Sequence, residues 1–144
     1  MSSRADGPTG AYGYFDHDAD IGIVGRGRTI EEAFVNAARA MFSIPYDLQR
    51  VTPEREIAVS FDEPDPEFAL VEWLNALLAA SRVEGIVPAE FELRREGSRW
   101  VGRARGMPLR EDMERGTEVK GATLTALSVA QQDGGWEARC VVDV

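Results

Sequence analysis

The stretch "IGIVGRGRTIEEAFVNAARAMF", Ile21 to Phe42, changes its hydrophobic period partway along. "IGIV" reads as a short extended piece, and "GRGR" turns the chain. From Thr29 onward, Ile30, Ala33, Phe34, Ala37 and Met41 fall on one face at helical spacing. Thr29 with Glu32 forms a capping box that opens this helix, and Pro45 ends it.

The same two periods recur on either side. Upstream, "YGYF" is a second extended piece, so the carboxylates Asp16, Asp18 and Asp20 sit at a strand end or in a turn. Downstream, "EIAVSF" alternates Ile57, Val59 and Phe61 as a strand with one buried face. In "DEPDPEFALVEWLNALLAASRVEG", Asp65 caps a second helix, Pro66 takes its first position and Gly85 closes it. Its stripe is Leu70, Val71, Leu74, Leu77 and Leu78, widened by Trp73. Then come "EFELRRE" and "RWVGRAR" around a turn at Gly97. After them "EVKGATLTALSVA" and "WEARCVVDV", each read as one strand, join through Asp133, Gly134 and Gly135. Trp136, Ala138, Cys140, Val142 and Val144 share one face of the last strand. This order predicts an α+β two-layer sandwich, a largely antiparallel sheet with two main helices on one face.

A chain of 144 residues fits one domain, expected over 12–144 after a small, polar, flexible tail at 1–11. The net charge of -9 argues against direct gripping of a phosphate backbone, which draws its affinity from Lys and Arg. With one cysteine there is neither an internal disulfide nor a zinc cluster, which suits a reducing cytoplasm; Cys140 reads as a small buried hydrophobe. No leader-like apolar segment opens the chain, and no apolar run reaches the roughly 18 residues of a membrane span, so neither export nor a membrane is expected.

Asp16, Asp18 and Asp20 offer only hard oxygen ligands. An EF-hand is excluded, because Ile21 stands at the glycine position and Gly27 at that of the bidentate glutamate. A generic hard-cation site and a set of turn and cap carboxylates both remain open. His17 has the chemistry of a base, a ligand or a structural hydrogen-bonding group, and no G-x-S-x-G motif recruits it to a triad. Gly22, Gly25 and Gly27 match neither phosphate-loop spacing. Asp143 is either a solvated edge residue or, if the sheet brings it beside Asp20, part of a locus with two aspartates and the oxygens of Val144.

"FDHDADIGIVGRGRTIEEAFVNAARAMF", "LVEWLNALL", "GTEVKGATLTALSV" and "CVVDV", in this order from Tyr14 to Val144, resemble the archease family. The resemblance implies a small α+β protein cofactor of the RtcB-type RNA ligase. Such a cofactor promotes the ligase's GTP-dependent guanylylation and multiple turnover in tRNA splicing or RNA repair, and is not itself an enzyme. RNA would be reached only through the ligase. The resemblance further implies a divalent cation, most typically calcium, held by Asp20, Asp143 and a backbone ligand at Val144. Asp16, His17 and Lys120 stand as accessory residues. Family members often carry Tyr-His or Tyr-Ser where this chain has Leu124 and Thr125, and commonly Thr at Asp18, so those positions inherit no role. Two other classes stay in play: an autonomous metal-dependent hydrolase using the aspartates and His17, and a chaperone-like interaction module.

Overall fold

The computed structural model describes residues 10–113 and 115–144, so most of the expected tail, residues 1–9, lies outside the described residues. The elements run β1 (Tyr12–His17), β2 (Asp20–Gly27), α1 (Ile30–Phe42), β3 (Arg55–Asp62), α2 (Pro66–Glu84), β4 (Ile86–Glu96), β5 (Arg99–Pro108), β6 (Gly121–Ala122), β7 (Ser128–Gln132) and β8 (Gly135–Asp143). Every pairing is antiparallel. The strands form two sheets, one of five strands in the order β1-β2-β8-β6 with β7 also on β8, and one of three in the order β3-β5-β4. The α+β class expected from the sequence is therefore the observed one.

Local chemistry sets the helix ends. Thr29 Oγ1 accepts from Glu32 N at 3.1 Å, and Glu32 Oε1 reaches back to Arg28 N at 2.7 Å, one residue earlier than a standard capping box. Asp65 Oδ1 accepts from Glu67 N, Pro66 begins α2, and Gly85 ends it at φ +67, a left-handed conformation that costs glycine little. The predicted α1 face is buried throughout; of the α2 stripe, only Val71 stays half-exposed.

The segment "EVKGATLTALSVA" does not form the single strand expected of it. β6 covers two residues, the chain leaves the ladder, and β7 begins at Ser128. Thr123 N donates to Val141 O while Val141 N donates to Thr125 O, both at 3.0 Å, so two residues of this segment share one residue of β8. The surplus is looped out at Leu124–Ala126, with Ala126 at φ +54.

Burial concentrates where the two helices meet both sheets. Trp100 stacks between Phe34, at 5.1 Å, and Phe61, at 6.1 Å between ring centroids. The Trp73 indole N–H donates to Phe34 O at 3.0 Å, tying α2 to α1. Helix α1 lies so close on β2 that a Cβ on Gly25 would stand 2.2 Å from Ala33 O and Ala37 N. The Gly25→Ala variant is therefore expected to lose about 3 kcal/mol, read as a lowered urea midpoint at unchanged slope.

The solvent face of the three-stranded sheet carries Arg99, Arg103 and Arg105 along the central β5, flanked by Glu56 and Asp62 on β3 and by Glu90, Glu92, Arg94 and Glu96 on β4. Arg99 pairs with Asp62 at 3.0 Å and Arg103 with Glu92 at 3.1 Å, and both pairs are exposed. Close to this sheet, partial burial, a hydrogen bond that the protonated Glu72 carboxyl donates to Glu63, and the negative charge of Glu63 push Glu72 up to about 6 from its ordinary 4.5. The folded form thus holds this proton more tightly than the unfolded chain, and stability falls as pH rises through that window. Glu72→Gln is expected to raise Tm above about pH 6, with the gain fading as pH falls toward 4.5 in a series of thermal melts.

Candidate functional site

β1 and β2 form a hairpin in which Asp16 faces Ile21 and His17 faces Asp20, leaving Asp18 and Ala19 as the turn. Asp18 takes φ +52, a left-handed conformation that aspartate tolerates better than β-branched residues do. One carboxylate of the cluster thus has a backbone role. His17 Nδ1 lies 3.8 Å from Asp18 Oδ2, and both side chains are open to water.

The β2–β8 ladder ends with Ile21 opposite Val142, and its next step sets Asp20 across from Asp143. There Val144 N donates to Asp20 Oδ1 at 3.3 Å. On the far side of β8, Gly121 pairs with Asp143, and Lys120 N donates to Asp143 O at 2.7 Å. Three distant stretches of sequence therefore converge, bringing Asp20, Asp143, Val144 and Lys120 to one end of the sheet. Asp16 and His17 lie on the neighbouring strand of the same hairpin. Asp143 and Lys120 expose their side chains, whereas Asp20 and Val144 are half-buried.

Two carboxylates at neighbouring ends of paired strands make a locally negative locus that suits a cation. Only hard oxygens are available, from Asp20, Asp143 and the backbone at Val144, a set that fits calcium rather than zinc. Among the described residues no group of three or more His, Cys, Asp or Glu side chains is disposed to hold a metal. An ion here would complete its shell with water or with groups from a partner.

The outer face of the sheet beside the cluster is closed. The Phe15 ring covers Gly22, where a Cβ would come within 2.3 Å of it, and the Arg139 guanidinium sits 4.3 Å over that ring. A surface cavity of about 600 Å³ lies elsewhere, lined by Tyr12, Ser43, Tyr46 and Leu48 among others, and includes none of these carboxylates. Cys140 is fully buried, and burial pushes its thiol up to about 12, so the reading of an inert small hydrophobe agrees with its environment. Among the described residues no helix is long and apolar enough to cross a membrane.

Sequence reasoning passed over Asn75 and Arg82, which bind the main chain beside Lys120. The available signal was an asparagine, a poor helix former, between Leu74 and Leu77 in the middle of α2. For Asp18, the turn role predicts that Asp18→Gly keeps or raises stability while Asp18→Val lowers it by about 1 kcal/mol, measured by thermal melts.

Residues 12–144 match the model of the Archease protein family. Protein archease of Methanosarcina mazei is 37% identical over 141 residues, which cover 92% of this chain and 95% of that protein. Protein archease of Sulfolobus acidocaldarius is 33% identical over 134 residues, covering 91% and 96% respectively. The solution structure of Methanobacterium thermoautotrophicum protein 1598 superposes with a TM-score of 0.85 at 31% identity, covering 93% of this chain and 99% of that one.

Proposed function

The chain belongs to the archease family, and on that premise we propose that it is a protein cofactor of an RtcB-type RNA ligase. In this reading it promotes GTP-dependent guanylylation and multiple turnover of the ligase in cytoplasmic tRNA splicing or RNA repair. The ligase performs the chemistry and holds the RNA, consistent with a net charge of -9 on the cofactor. The observation that carries the reading is the bond from Val144 N to Asp20 Oδ1, which joins the 16–20 turn to the tail of β8 in one acidic tip.

Asp20, Asp143 and the backbone oxygen of Val144 would hold a divalent cation there, calcium by the chemistry of the donor set. Such an ion would supply positive charge for phosphate oxygens. The chain's own residues have simpler tasks. The aspartates give the tip a charge that steers it toward a basic surface. The hydrogen bond from Val144 N fixes the Asp20 carboxylate, and the short bond from Lys120 N fixes the backbone of Asp143. Lys120, whose backbone is bonded to Asp143, adds an exposed ammonium at the same end of the sheet, suited to a phosphate or an acidic group on the partner. Asp16 and His17 border the same tip.

The test is ligase guanylylation and multiple-turnover RNA joining with a cognate ligase, GTP and divalent metal. Wild type is expected to stimulate both, and Asp20→Ala and Asp143→Ala, each checked for folding, to lower stimulation about tenfold or more. Absence of stimulation by wild type removes the activator reading and returns the hydrolase and the chaperone-like module to consideration. Turnover by the protein alone would then mark the former.

A further inference from the structure

Helix α2 meets the segment from Val119 to Val129 with three polar side chains, Glu67, Asn75 and Arg82, set about two turns apart. Each bonds main chain rather than a side chain. Asn75 Nδ2 donates to Ala122 O at 3.2 Å, and Asn75 Oδ1 accepts from Ala122 N at 2.9 Å. The Arg82 guanidinium donates to Val119 O and, at 3.5 Å, to Lys120 O. Glu67 Oε2 accepts from Val129 N at 3.3 Å.

The opposite edge of this segment is bonded to β8. Lys120 N donates to Asp143 O, Gly121 pairs with Asp143, and Ala122 pairs with Val142. β6 is an outer strand of its sheet, and α2 offers it what a further strand would. The Asn75 amide presents one donor and one acceptor to a single residue, the pair that an adjacent strand supplies in an antiparallel ladder. Lys120 is thereby fixed through its N–H by Asp143 and through its carbonyl by Arg82, while its side chain is exposed. The packing of α2 does not call for an amide at position 75, since its buried residues are Ala69, Leu70, Trp73, Leu74, Leu77, Leu78 and Ser81.

We infer that Asn75, assisted by Arg82, is a positioning residue. By acting as a surrogate strand along β6 it holds Lys120 in one arrangement relative to Asp143 and Asp20, so that a partner meets the ammonium and the carboxylates already aligned. This deepens the activator reading and rests on it.

The experiment compares full-length wild type, Asn75→Leu, Lys120→Ala and the double variant in guanylylation of a cognate ligase with GTP and divalent metal. Asn75→Leu and Lys120→Ala are each expected to lower stimulation about tenfold at saturating protein, and the double variant to lie within about twofold of Lys120→Ala, because groups acting through one another are not additive. Asn75→Asp, near-isosteric and keeping only the acceptor for Ala122 N, is expected to show the same pattern and serves if the leucine variant does not fold. Losses that multiply, or either single variant behaving as wild type, overturn the inference. A ligase that wild type does not stimulate overturns the activator reading instead, and hydrogen exchange then decides the positioning. The Lys120 amide, bonded to Asp143 and not to Asn75, exchanges about tenfold faster or more in the position 75 variant if Asn75 positions it, and at the wild-type rate if it does not.

Discussion

The ladder between β2 and β8 holds the five-stranded sheet together and sets the geometry of its acidic end. β8 has β2 on one edge and both β6 and β7 on the other, and its inward residues Ala138, Cys140 and Val142 are fully buried. A slip of one residue would turn these side chains to the face of Glu137 and Arg139 and Asp143 toward the core, which burial of the apolar set forbids. The step that places Asp143 across from Asp20 is thus imposed by the packing of residues several positions away. Helix α1, seated on the bare backbone of Gly25, fixes β2 against this core from the other direction.

What the sequence made legible is what local chemistry controls. Thr29, Asp65, Pro66 and Gly85 mark the helix ends because caps and left-handed closures involve residues a few positions apart. The turns at Gly97 and at Asp133–Gly134 are of the same kind, with φ of +62, +49 and +80. The division into two sheets and the break at Leu124–Ala126 were not legible, because they depend on which residue across the ladder a carbonyl finds. Val141 serves both Thr123 and Thr125, and nothing in the alternation of "ATLTALSV" distinguishes that from a continuous strand. The convergence of Asp20 with Asp143 came from family resemblance rather than from periodicity. The role of Asp18 was hidden until its φ was known, and that of Asn75 until its bonding partners were.

Helix α2 therefore has two jobs on two faces. One is apolar and buries Leu70, Trp73, Leu74 and Leu77 in the shared core. The other is a line of polar groups that ends a sheet without adding a strand. The arrangement closes an otherwise open edge where the chain carries a lysine, and it does so with groups that the core does not need. Stability and site geometry are in this way assigned to different residues of one element.

The three-stranded sheet treats its edges differently. Among the described residues no strand lies beyond β3 or β4, so both present open backbone. The outward side chains of β3 include Glu56 and Asp62 and no arginine, and across from them the central strand carries Arg99 and Arg105; β4 interrupts its acidic row with Arg94. A second molecule adding its own β3 to the β3 edge would set Glu56 and Asp62 beside like charges, with Arg99 and Arg105 a full strand away on both sides. The charge order at the β3 edge thus makes it a poor template for its own copies, a safeguard against polymerisation.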